Sequence, residues 1–267
     1  MPVSETADIA PTRERGPYAA LALDVLIAIV LVFGLSIVCV LGWLIVHALA
    51  SAHDGADLAQ TMRHVGTPGA VDQVVTTMLA MGAAALVLLW WRRRPDADER
   101  RRSLEAARRP STWGWAIATA IGTTLAVAAI TQLAVFTGSR PDPSNEAIVR
   151  GLMTESPWLL WPFTVAFAPL YEEVLFRRVF FGRLQAAGRP IAGILVSAAL
   201  FAIAHEPPGL TGNTLAGTGV LLLAYAAMGA GFALVYRRTG TLWAAILAHA
   251  LHNFFACLMF FIGTNGA

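Results

Sequence analysis

Seven apolar runs, at residues 21–50, 74–91, 113–137, 158–184, 191–205, 217–236 and 242–262, leave this chain few ways to fold. Backbone N–H and C=O groups find no water in hydrocarbon, so a segment that crosses a bilayer must be a helix or part of a closed barrel. A helix needs about 20 residues for the crossing, and most of the runs reach or approach that length. The chain is 57% hydrophobic and 13% charged, whereas a soluble domain is about 25% charged. The reading is an all-α polytopic transmembrane bundle of about seven membrane helices, with an eighth, hidden or re-entrant, as the alternative. Its environment is the lipid bilayer, expected to be the cell (plasma) membrane. Nucleic acid is not implied, because the arginines sit between apolar runs rather than on one face.

Residues 1–20 read as a polar N-terminal tail, and the run that follows is too long for a signal-peptide core. Arg92, Arg93, Arg94, Arg100, Arg101, Arg102, Arg108 and Arg109 follow the second run; Arg183 and Arg189 follow the fourth; Arg237 and Arg238 follow the sixth. Alternate connections therefore carry the positive charge, which sets the N-terminus in the cytoplasm. The arginines at 92–109 would also suit anionic lipid headgroups. Asp24 is expected near the interface. Cys39 and Cys257 lie in separate apolar runs and read as packing residues.

The fourth run holds the residues least expected in a membrane: Glu172, Glu173, Arg177 and Arg178, just after Pro169. A carboxylate at the bilayer centre costs at least ~2.5 kcal/mol, so it marks an interior functional site. Pro169 cannot donate a backbone hydrogen bond and disturbs the helix at that point. Residues four apart share a helix face, so Glu173 pairs with Arg177. Glu172 points elsewhere and lacks a local partner, as a general base would; the competing reading is an interfacial charge cluster.

Two later runs add to this. His205 closes the fifth run before Pro207, and His249 and Asn253 lie one turn apart in the seventh, with His252 a weaker candidate for the same face. At ~1.5 Å per residue, Glu172, His205 and Asn253 fall roughly 17, 22 and 20 Å from the arginine-rich side, so they can meet at or beyond the midplane. That agreement needs Arg177 and Arg178 to be submerged with the carboxylates.

Glu172-Glu173-x-x-x-Arg177, Phe201-x-x-x-His205 and His249-x-x-x-Asn253, in this order on successive apolar runs, resemble the CPBP family of CAAX proteases and bacteriocin-processing and immunity proteins. The resemblance covers a core at 155–262; the three helices at 21–137 are outside it and not diagnostic. It implies an intramembrane endopeptidase acting on a membrane-associated peptide or protein, prenylated CAAX substrates included. Carried over by position, Glu172 and His205 would activate water, His249 and Asn253 would stabilise the oxyanion, and Glu173 and Arg177 would be structural. No cofactor is expected. Zinc on Glu172, His205 and His249 is the alternative, although the His-Glu-x-x-His spacing of helical zinc proteases is absent. A non-catalytic immunity or partner protein and a proton-coupled transporter are the other classes; the transporter is disfavoured because the halves show no inverted repeat. Prenylated substrates are processed at the cytosolic side, which sits uneasily with a site beyond the midplane.

Overall fold

The computed structural model describes residues 16–53, 66–136, 138–139 and 141–265. Most of the expected tail, residues 1–15, lies outside them, and the first helix already begins at Pro17. The helices are α1 (Pro17–His53), α2 (Ala70–Arg92), α3 (Ala97–Ala107), α4 (Pro110–Phe136), α5 (Glu146–Glu155), α6 (Pro157–Ala186), α7 (Pro190–His205), α8 (Leu215–Thr239) and α9 (Leu242–Asn265). Six of them, α1, α2, α4, α6, α8 and α9, are long and apolar enough to cross a membrane, and α7, with 16 residues, is a shorter seventh. Among the described residues there is no strand. The polytopic helical bundle is therefore as expected, and the protein is an integral membrane protein.

Helix α8 sits between neighbours on two sides, and small residues permit this. A Cβ on Gly229 would meet the backbone of Ala198 on α7 at 3.0 Å, and one on Gly231 would meet the Thr123 methyl of α4 at 2.6 Å. Glycine lets helix axes approach closely where lipid supplies no hydrophobic drive. Helix α8 ends at Gly240, whose φ of +75° is the left-handed geometry of a helix C-terminus. The main core gathers Phe176, Phe180, Phe201, Phe232, Met228 and Ala248 from α6 to α9. Helix α1 is largely peripheral, with Phe33 65% and Leu49 66% exposed, as expected of a lipid-facing surface.

Two short helices occupy stretches that read as connections. Helix α3 lies within the arginine-rich 92–109 segment and starts with a capping box: Asp96 accepts from Glu99 N–H at 2.7 Å, and Glu99 accepts from Asp96 N–H at 3.3 Å. Helix α5 lies in the 138–157 stretch and buries Leu152 against Val74 and Leu160. Its Glu155 carboxylate reaches 85 residues back to accept from Ala70 N–H at 3.1 Å, capping the start of α2.

Helix α6 is not a uniform α-helix. Two wide-turn π segments, Phe163–Phe167 and Val174–Phe181, flank the α-helical Ala168–Glu173 that carries Pro169, Glu172 and Glu173. Such segments rotate the side chains that follow and leave carbonyls for partners outside the helix. Ser197 of α7 donates to the Phe176 carbonyl at 2.9 Å, and Arg93 donates to the Gly182 carbonyl at 3.1 Å.

Candidate active site

Glu172, on the inner face of α6, is 9% exposed and meets two imidazoles. Its Oε2 lies 3.5 Å from His205 Nε2, at the C-terminal end of α7, and 3.8 Å from His249 Nε2, in the middle of α9. These distances exceed those of direct hydrogen bonds, and Glu172 Oε2 accepts none from the described residues. The other ring nitrogen of each histidine is engaged. His205 Nδ1 is 2.9 Å from the Phe201 carbonyl, and His249 Nδ1 is 2.9 Å from Glu173 Oε1. Carbonyl and carboxylate oxygens only accept, so both Nδ1 atoms carry hydrogen and both Nε2 atoms face Glu172.

Glu173 therefore does more than pair along its own helix. Its Oε2 is 3.0 Å from Arg177 Nε, the pairing expected one turn away, while Oε1 holds His249 from another helix. Both Glu173 and Arg177 are fully buried. The Arg177 terminal nitrogens have no hydrogen-bond partner among the described residues. The guanidinium carbon lies instead 4.7 Å from the Phe201 ring centroid, 5.5 Å from Phe232 and 5.8 Å from Phe176. Aromatic faces stabilise a desolvated cation. The same rings hold the imidazoles: Phe201 lies 4.2 Å from His205, and Phe232 stacks on His249 at 4.6 Å and 18°. Phe201 is part of the second sequence motif, whereas nothing around Phe232 in the sequence distinguishes it from ordinary core.

Asn253 is brought to the site by the first π segment. Ala168 N–H bonds to the Phe163 carbonyl, five residues back. In that register the Thr164 carbonyl falls to residue 169, a proline without an N–H. Asn253 Nδ2 supplies the missing hydrogen at 2.8 Å. One of its two amide hydrogens is thus committed to the backbone of α6. His252 turns toward α4, with Nδ1 3.1 Å from Thr124 Oγ1, and does not join the Glu172 cluster.

A cavity of about 830 Å³ opens beside these groups, lined by Glu172, His205, His249 and Asn253 and otherwise mainly by apolar side chains of α1, α2 and α4 to α9. Among the described residues, no three His, Cys, Asp or Glu side chains are grouped as a metal site requires. A second charge cluster anchors the far end of α6. Asp24, expected near the interface, is fully buried between Arg92 at 2.5 Å and Arg183 at 2.6 Å. Arg178 makes a two-pronged contact with Glu99, at 2.6 and 3.3 Å.

A carboxylate and two tautomerically fixed imidazoles, buried in a helical membrane bundle beside an apolar cavity, define a class of membrane-embedded site suited to proton transfer. The comparisons with known proteins are more particular. Residues 154–255 match the family model described as Type II CAAX prenyl endopeptidase Rce1-like. Over 91 residues the chain is 34% identical to the Bacillus subtilis (strain 168) protein named Putative membrane peptidase YdiL, a stretch covering 34% of this chain and 33% of that protein. The match thus spans about a third of the curated relative's length. No solved structure matches the chain. Residues 154–255 are thus similar to that family over the stretch that carries the three motifs.

Proposed function

We propose that the chain is an intramembrane endopeptidase that hydrolyses a peptide bond in a membrane-associated substrate, prenylated CAAX-type peptides included, with Glu172 activating the water. The observation that carries this reading is a buried carboxylate oxygen with no hydrogen bond from the described residues, facing an apolar cavity between two imidazole Nε2 atoms. Buried polar atoms are normally satisfied, so one left open beside a cavity suits a group that must bind a reactant.

The charges in the site support the assignment of roles. Among the described residues, Arg177 is the cation set against Glu172 and Glu173, and buried charge is tolerated when balanced. One further proton on the His205 and His249 pair makes the cluster neutral. On His249, whose Nδ1–H is held by Glu173, that proton makes Nε2–H a donor toward the cavity. Glu172 then takes a proton from water as the water oxygen bonds to the substrate carbonyl carbon. The oxyanion accepts from His249 Nε2–H and from the uncommitted Asn253 amide hydrogen. As the intermediate collapses, the C–N bond breaks, and the proton passes from Glu172, assisted by His205, to the leaving nitrogen. The products are a carboxylic acid and an amine. General acid–base catalysis of this kind contributes about 10²–10⁴-fold and each oxyanion donor about 10²–10³-fold.

This scheme needs no metal. Arg177 and an imidazolium already supply positive charge, and a divalent cation beside them would be repelled. Glu172, His205 and His249 are the residues that would hold zinc in the alternative. We further place the protein in the cell membrane with its N-terminus in the cytoplasm, since Arg183, Arg237 and Arg238 lie in the last turns of α6 and α8 and Arg189 in the connection from α6 to α7. His205 is the last of the 16 residues of α7, a rise of about 24 Å from its start against ~30 Å of hydrocarbon. The scissile bond would then be reached from the membrane or from the arginine-poor side.

The test is cleavage of a membrane-associated peptide library, prenylated peptides among it, by the purified protein in nanodiscs, with Glu172→Ala and a chelator as comparisons. Cleavage that is lost in Glu172→Ala and survives exhaustive chelation is expected. Loss on chelation with recovery on adding zinc would replace the metal-free scheme. No cleavage by wild type would favour a non-catalytic membrane partner.

A further inference from the structure

We propose that Glu206 is a positioning residue for His205, acting through a polar strap across the end of α7; this rests on the peptidase reading above. The need for a strap begins in the sequence. Helix α7 ends in His205-Glu206-Pro207-Pro208, and Glu206 N–H bonds to the Ala202 carbonyl at 2.8 Å. The next two backbone donors are missing because proline has no N–H. The last carbonyls of a helix need outside partners, and a helix end that carries a reacting imidazole must not fray.

The partner comes from residues 141–145, between α4 and α5. Ser144 donates its hydroxyl to the His205 carbonyl. Glu206, fully buried, fastens the donor: its Oε2 accepts from Ser144 N–H at 3.3 Å, and its Oε1 accepts from Asn213 Nδ2 at 3.0 Å. Asn213 in turn exchanges hydrogen bonds with the Asp142 backbone, donating to its carbonyl at 2.8 Å and accepting from its N–H at 3.0 Å. The strap also reaches the ring. Tyr225 lies 4.8 Å from His205, on the wall of the cavity, and its hydroxyl is 3.5 Å from Asn145 Oδ1.

A carboxylate suits this place because two donors from two segments converge on it, and each needs an acceptor. Glutamine would turn an N–H toward one of them, and alanine would leave both unmet in a buried setting. With the strap released, the end of α7 loses its cap and His205 drifts from Glu172. Displacement by about 1 Å can cost on the order of 10²-fold in rate.

The experiment compares wild type, Glu206→Gln, Glu206→Ala and Ser144→Ala in nanodiscs by two readouts: kcat and KM on a cleaved peptide, and the rate at which diethyl pyrocarbonate modifies His205, read by mass spectrometry with His249 as internal reference. The expected pattern is a kcat lowered roughly 10–100-fold in Glu206→Ala with KM within about twofold, a smaller loss in Glu206→Gln, and faster His205 modification in the same order. If Glu206→Ala does not fold, Ser144→Ala, which removes only the hydroxyl at the His205 carbonyl, must show the kcat loss and the faster modification. Wild-type kcat and unchanged His205 modification in a folded variant would overturn the proposal. If wild type cleaves nothing, the peptidase reading fails, while His205 modification still decides whether Glu206 positions that ring.

Discussion

Helix α6 carries two charge clusters, and they are built on opposite rules. At its C-terminal end both oxygens of Asp24 accept from arginines, Arg92 on one and Arg183 on the other, and both oxygens of Glu99 accept from Arg178. In its middle, Glu172 Oε2, Glu173 Oε2 and all three Arg177 guanidinium nitrogens go without hydrogen bonds from the described residues, and Glu173 Oε2 has Arg177 Nε against it at 3.0 Å as an ion pair. The first cluster joins α1, α2 and α3 to α6 and has its carboxylates saturated, as groups that only hold a fold should be. The second engages its supporting carboxylate, Glu173, with His249 through one oxygen and with Arg177 as an ion pair through the other, and leaves Glu172 open where a reactant would bind. A buried carboxylate oxygen with neither a hydrogen bond nor an arginine against it therefore separates candidate chemistry from scaffolding better than charge or burial alone.

The largest contrast should come from Glu172→Gln. The substitution keeps size and polarity but removes the proton acceptor, so cleavage should fall by about 10²–10⁴-fold or more. Thermal stability in detergent should hardly move, since Oε2 has no hydrogen bond from the described residues to lose. A large drop in melting temperature would mean that Glu172 is scaffold after all, and the contrast between the clusters would collapse. Glu173→Ala should behave in the opposite way. It strands a fully buried Arg177 and frees His249, and breaking a buried pair costs about 3–5 kcal/mol, so the variant should express poorly or melt far below wild type.

The legibility of these residues in the sequence follows the same division. Glu172, His205, His249 and Asn253 could be picked out because polar groups in hydrocarbon are conspicuous, and the pairing of Glu173 with Arg177 follows from helix geometry. The second bond of Glu173, to His249, depends on how α6 packs on α9, which no local spacing encodes. The partner of Asn253 was hidden for another reason: Pro169 predicts a freed carbonyl at Val165, but the π register moves it to Thr164. The burial of Asp24 was obscured because Arg92 and Arg183 look like ordinary topology signals. Helices α3 and α5 were absorbed into connections, although Asp96 with Glu99 and the spacing of Ile148, Val149, Leu152 and Met153 were available signals.

Asp24→Asn probes the saturated cluster at intermediate cost. The arginines that would lose their counter-charge have side chains 22% and 19% exposed, against 0% for Arg177, so they can turn toward water. We expect a loss of about 1–3 kcal/mol, with kcat on a cleaved peptide close to wild type. A kcat loss as large as that of Glu172→Gln would show that the two clusters are coupled along α6.

The smallest effect should be at Glu99, where the comparison can be sharpened by pH. The hydrogen bond and charge of Arg178 hold the Glu99 carboxyl below its usual value, and the Glu99 backbone N–H does the same for Asp96. A carboxyl that titrates lower in the folded than in the unfolded state contributes stability that is complete above the ordinary carboxylate range, roughly pH 4, and is lost as pH falls through the folded value. Melting temperature should therefore decline on acidification, and Glu99→Gln should lessen that decline while leaving cleavage near neutral pH unchanged. Because Glu99 is partly exposed, the gap at neutral pH should be no more than about 1 kcal/mol. If Glu99→Gln instead left the acid slope untouched, the contact between α3 and α6 would be too well solvated to count as part of the saturated cluster, and Asp24 would carry that role alone.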